Sequence, residues 1–155
     1  LNAAGIQVSV INGITAGLAA VTQLGCPLTH RQHAQGVMLV TGHKKHGSEA
    51  CDWVLLGQAA MAARTTLVIY MGAGSAADIQ AGLLQSMPAR MPVCIVQNAT
   101  LKHQKSLTTT LAHMAEDLHK AKMGSPCIIA VGEVLTQANA QQASFLTDER
   151  IQALA

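Results

Sequence analysis

The sequence predicts an α/β domain: a three-layer sandwich in which helices flank a mixed, mostly parallel sheet. Three observations predict it. Apolar runs of strand length alternate with helix-period segments at least three times along the 155 residues. Turn-forming residues follow those runs, namely Asn12-Gly13, Gly42, Gly72, Asn98 and Gly132. Finally, half the residues are hydrophobic, enough for one domain to bury a real core, although Ala, Val and Leu supply most of them.

Val8, Val10 and Ile11 read as the end of a first short strand, and Asn12-Gly13 turns the chain. Ile14, Leu18 and Val21 then recur on one face of a helix that Gly25 and Pro27 close. Such a unit aims unpaired N–H groups, with the Thr15 hydroxyl, at whatever sits above the strand end, and it is equally the form of an ordinary βα turn. Residues 36–41 form a second strand, followed by a polar loop that holds His43, Lys44, Lys45 and His46. His43 and His46 have the spacing of a helical metal pair, but the flanking glycines make the segment a loop, and no metal is assigned. Asp52 to Ala63 is a helix with Trp53, Leu56 and Ala60 inward.

Residues 65–70 are the clearest strand, running into Met71-Gly72-Ala73-Gly74 and a helix that reaches about Ser86. Gly72-x-Gly74-x-x-Ala77 is a degenerate dinucleotide fingerprint, but the next strand, residues 92–97, ends in Gln97 and Asn98 where a ribose-binding acid is required. That omission opposes a nicotinamide-binding domain. Lys105 to Thr110 suits an edge strand, and Leu111 to Met123 an amphipathic helix whose Glu116, Asp117, Lys120 and Lys122 face solvent. Ser125-Pro126 opens a last strand, residues 127–131, with Gly132-Glu133 at its end. Residues 1–135 make the domain; from 136 to 155 the composition turns polar, giving a tail with a short helix at most.

A net charge of +2 and 2% aromatics argue against nucleic acid, because base stacking has little to work with. No apolar run is long enough to cross a bilayer, and the start lacks a basic signal-peptide end, so the expectation is a cytoplasmic chain whose first residues are a cut edge inside a longer protein. Cys26, Cys51, Cys94 and Cys127 have no metal spacing and read as reduced, buried thiols. The sequence holds no Gly-x-Ser-x-Gly nucleophile elbow, no paired-carboxylate arrangement and no Cys/His pair in a recognisable context, so no catalytic residue is assigned. The candidate site is instead a set of turns after strands: residues 12–16, 70–72, 97–100 and 132–133, expected to converge on one sheet edge.

These turns, with Leu28-Thr29-His30-Arg31 and Val40-Thr41-Gly42-His43, resemble the C-terminal half of the uroporphyrinogen-III C-methyltransferase and siroheme synthase branch of the tetrapyrrole methylases. The resemblance runs from Ala3 to about Leu135, and the family's N-terminal half is not in this sequence. It implies S-adenosyl-L-methionine as cofactor, uroporphyrinogen III as substrate, precorrin-2 as product, a homodimer, and a cleft completed by the missing N-terminal domain. It implies Thr15, Ala16, Met71 and Ala99 as cofactor contacts, and Arg31, His43 and Lys44 on the substrate side. Asn12 replaces the family's proline and Ala99 its glycine; the second change is tolerated only if the backbone there has negative φ. The competing readings are a methylase of another corrinoid precursor and a non-catalytic interaction domain.

Overall fold

A computed structural model of the chain describes residues 1–43 and 51–138. Five strands form one sheet in the order β1-β2-β5-β3-β4, with β1 Gly36–Thr41, β2 Thr65–Tyr70, β3 Pro92–Gln97, β4 Lys105–Thr110 and β5 Cys127–Val131. The helices are α1 Ala16–Gln23, α2 Trp53–Ala62, α3 Ala76–Leu83 and α4 Met114–Lys120. The three layers are as expected. Alternate residues of the central strands feed two cores: Leu67, Ile69, Val93, Ile95, Ile129 and Val131 pack under α2, α3 and α4. Val68, Cys94, Val96, Ile128 and Ala130 pack under α1, Val134 and Leu135. Burial on both faces is why residues 67–69 of β2, 93–96 of β3 and all of β5 read as continuous apolar runs without polar alternation.

The sheet is mixed, as expected, but it is not mostly parallel. Among the described strands only β1 and β2 pair in parallel, and α2 lies in the crossover that a parallel pair requires. β5 enters between β2 and β3, antiparallel to both, and β4 pairs antiparallel with β3. Consequently β1, β2 and β3 end at one edge of the sheet, and β4 and β5 start there. The opposite edge collects the starts of β1, β2 and β3 and the end of β5.

The expected strand at Val8–Ile11 does not form. Residues 6–15 have no regular secondary structure, and Ile6, Val8, Val10, Ile11 and Ile14 stand exposed. A strand needs a partner, and residues 6–15 pair with no strand among the described residues. α1 also buries a different face from the one expected. Val21 is inward, but Ile14 and Leu18 are exposed at 82% and 42%, and Gly17, Ala20 and Leu24 do the packing. Asp52 caps α2 by accepting a hydrogen bond from the Leu55 N–H at 2.9 Å. All four cysteines are free thiols; Cys26, Cys94 and Cys127 are buried, whereas Cys51 is exposed, contrary to expectation. Among the described residues no helix is long and apolar enough to cross a membrane, and no metal-holding cluster is present.

Candidate functional site

The edge where β1, β2 and β3 end carries two adjoining hollows. One is an apolar cavity of about 360 Å³ lined by Ala16, Tyr70, Met71, Val96, Asn98, Ala99 and Leu101, closed by the start of β5 at Ser125, Pro126, Cys127 and Ile128. The other, about 490 Å³ and more polar in character, is lined by His43, Met71, Gly74, Ser75 and Ser125. Met71 and Ser125 belong to both and stand between them. Met71 is 58% exposed and holds φ at +52°, a left-handed conformation rare for an unbranched apolar residue. Plain core packing therefore does not account for it; the backbone is bent to present a thioether to the cleft.

Local packing fixes this bend. The parallel register sets Thr41 beside Tyr70, and the Gly42 N–H donates to the Tyr70 carbonyl at 2.7 Å. A Cβ on Gly42 would meet the Gly72 Cα at 2.7 Å, so the glycines of Thr41-Gly42-His43 and Met71-Gly72 are there for backbone contact. On the other face the Tyr70 hydroxyl lies 2.6 Å from Thr15 Oγ1 and accepts a hydrogen bond from the Gly17 N–H at 3.0 Å. That clamp holds Thr15 beside Ala16, which lines the apolar cavity, although the strand expected to carry them is absent. Across the cavity, the Asn98 N–H donates to the Pro126 carbonyl at 3.1 Å and the Leu101 N–H to the Asn98 carbonyl at 3.0 Å, tying the turn after β3 to the start of β5.

The unfavourable alternative at Ala99 does not arise. Positive φ falls on its neighbours, 54° at Asn98 and 69° at Thr100, and not on Ala99, so alanine replaces glycine there without backbone strain. Burial pushes the Cys127 thiol above its ordinary value, so it stands in the cavity wall as a neutral group. The dinucleotide alternative weakens further. Asp78 lies in the first turn of α3, where a pyrophosphate would have to meet the helix N-terminus.

Thus Thr15, Ala16, Met71, Ala99 and His43 share one edge of the sheet. Lys44 lies outside the described residues. Arg31 is not brought to them. It sits before β1 in a loop closed by His30 and Ala34, whose backbone bonds measure 2.7 and 2.9 Å, at the end where β1 begins. A six-residue strand, roughly 20 Å at the usual rise, separates that loop from His43. Gly132-Glu133 lies on the same remote edge, because β5 runs opposite to β2, which corrects the expected convergence of four turns. The Thr66 hydroxyl donates to the Leu28 carbonyl at 2.9 Å and the Cys26 thiol to the Val134 carbonyl at 3.3 Å, joining the two remote motifs to each other. Sequence reasoning missed Ser125 and Pro126, since nothing in one sequence gives the direction of β5, and it missed Leu101, one residue beyond the expected turn at 97–100.

Fold and cleft together define a class. The profile of the tetrapyrrole (corrin/porphyrin) methylases matches residues 1–115, and the chain belongs to that family. Within it, the chain is 41% identical over 131 residues to a uroporphyrinogen-III C-methyltransferase of Pseudomonas aeruginosa, covering 84% of this chain and 51% of that one. It is 44% identical over 133 residues to a siroheme synthase of Escherichia coli, covering 85% of this chain and 28% of that one. Among solved structures it is similar to the uroporphyrin-III C-methyl transferase of Thermus thermophilus complexed with S-adenyl homocysteine. The TM-score is 0.69 at 30% identity, with 87% of this chain and 57% of that one covered. A cobalt precorrin-4 methyltransferase shares the fold, with a TM-score of 0.74 at 18% identity and coverage of 86% and 55%. The chain spans about half the length of the C-methyltransferases it matches.

Proposed function

We propose that this chain is the C-terminal half of an S-adenosyl-L-methionine-dependent uroporphyrinogen-III C-methyltransferase, either free-standing or within a siroheme synthase, that forms precorrin-2. The observation that carries the reading is the paired hollow with a strained, exposed Met71 between its parts, in a chain of this family. The residues fit the cofactor. An apolar cavity of about 360 Å³ suits a nucleoside, flanking backbone groups can read a purine edge, and the thioether of Met71 packs on an aromatic ring. The cofactor supplies an activated methyl on a sulfonium. Thr15, Ala16, Met71 and Ala99 bind and orient it, and the walls exclude water.

His43 lines the more polar hollow on the substrate side. Lys102, His103 and Lys105 stand exposed in and beside the loop between β3 and β4, at the same edge. Such a cationic rim attracts a substrate with eight carboxylates. Arg31, being remote within the chain, serves the substrate only if a part outside the described residues brings the two together.

Residues 1–135 are the domain in this reading and 136–155 its tail. Relatives about twice as long, together with apolar residues standing exposed between Ile6 and Ile14, support a preceding half that completes the cleft and covers that segment. A cytoplasmic homodimer is the assembly we propose. The test is to incubate S-adenosyl-L-methionine and uroporphyrinogen III with the chain alone and with the chain joined to its native preceding half. Precorrin-2 formed only by the joined protein is the expected result. A different methylated corrinoid would transfer the reading to another methylase, and no methylation would reject it.

A further inference from the structure

The Tyr70 hydroxyl is the one side-chain group that ties the start of α1 to the end of β2 among the described hydrogen bonds, and no role follows for it from the sequence motifs. One of its lone pairs is taken, because the Gly17 N–H donates to it at 3.0 Å. Among the described residues its single proton then has one hydrogen-bond partner, Thr15 Oγ1, at 2.6 Å. Two polarities are open to this pair. A phenol is the stronger acid and better donor, an aliphatic hydroxyl the better acceptor, and donation by Gly17 polarises the phenol further in the same direction. The chain of bonds therefore runs from the Gly17 N–H to the Tyr70 oxygen and from the Tyr70 O–H to the Thr15 oxygen.

We infer that Tyr70 is a positioning residue: it accepts from Gly17 and donates to Thr15, so the proton of the Thr15 hydroxyl is left to donate to an acceptor atom of the bound cofactor. This rests on the cofactor reading of the cleft. The geometry supports a dedicated device. A Cβ on Gly17 would lie 2.3 Å from the Tyr70 oxygen, so the absence of a side chain there is what lets the phenol reach both partners. Thr15 itself is exposed and uses its side chain for no cap on α1, while its neighbour Ala16 lines the cavity.

A double-mutant cycle tests it in the chain joined to its preceding half. S-adenosyl-L-homocysteine is titrated calorimetrically into the unsubstituted protein, Tyr70→Phe, Thr15→Val, and the double variant. Each single substitution is expected to weaken binding about two- to ten-fold, the range of one hydrogen bond. The double variant is expected to bind no more weakly than the worse single one, because Tyr70 acts through Thr15. Thr15→Ser, which keeps the hydroxyl, should bind within about two-fold of the unsubstituted protein and stay sensitive to Tyr70→Phe. Losses that add, or a Tyr70→Phe protein with unchanged affinity, overturn the inference alone. An unsubstituted protein that does not bind overturns the cofactor reading and this inference with it.

Discussion

Gly17→Ala sets two well-measured effects against each other, and the structure decides the sign. Gly17 lies inside α1 and carries no left-handed φ. Helix propensity alone predicts that alanine stabilises the chain by about 1 kcal/mol. Packing predicts the reverse. The new Cβ would meet the Tyr70 oxygen at 2.3 Å, the Tyr70 Cζ at 2.8 Å and the Val68 Cγ1 at 2.8 Å. Val68 is fully buried in the central strand and cannot yield, so relief requires α1 to lift or Tyr70 to leave Thr15. Overpacking of this kind costs roughly 1–3 kcal/mol, and breaking the hydrogen bonds to the phenol adds about 1 more. Net destabilisation of about 1–3 kcal/mol follows, a fall in Tm of roughly 3–10 °C for a chain of this size. Thermal unfolding followed by far-UV circular dichroism measures it. A rise in Tm would mean that propensity dominates and that α1 is not clamped to Tyr70 as described.

Other predictions follow from the separation of the two sheet edges and from burial. Thr66→Val removes the fully buried hydroxyl that donates to the Leu28 carbonyl, and should cost about 1–2 kcal/mol in urea unfolding. Because that bond lies at the remote edge, cofactor-product affinity in the joined protein should stay within about two-fold; a larger loss would contradict the separation. Burial, the largest influence, pushes the Cys94 thiol from 9.0 to about 11, so above pH 9 the unfolded chain loses a proton that the folded chain keeps. Its contribution is complete below pH 9 and is lost as pH rises from 9.0 towards about 11, up to about 2–3 kcal/mol. Cys94→Ala should flatten that part of the stability profile, and an unchanged slope would refute the assignment.

Much of this was legible in the sequence because it depends on local pattern. The runs at 67–69, 93–96 and 127–131 are apolar at every position, as the buried middle of a strand covered on both faces is expected to be. Asp52 before Trp53 was legible as a helix start for the same reason. Strand direction was not. The reversal of β5 depends on which strands flank it, and that reversal moves Gly132-Glu133 to the far edge while bringing Ser125 and Pro126 to the cleft. The segment from Val8 to Ile11 has the composition of a strand, but a strand is a property of two partners. Tyr70 looked like the end of an apolar run; its tie to Thr15 is a contact across 55 residues that no spacing encodes.

The central claim is that the cleft around Met71 holds the nucleoside part of the cofactor. Met71→Asp tests it most directly, because the residue is exposed and aspartate tolerates positive φ better than methionine, so the fold should lose less than about 1 kcal/mol. Calorimetric titration of S-adenosyl-L-homocysteine into the joined protein should show binding, and its loss by more than about ten-fold in Met71→Asp at unchanged Tm. Equal affinity in the two proteins would place the cofactor elsewhere and contradict the account.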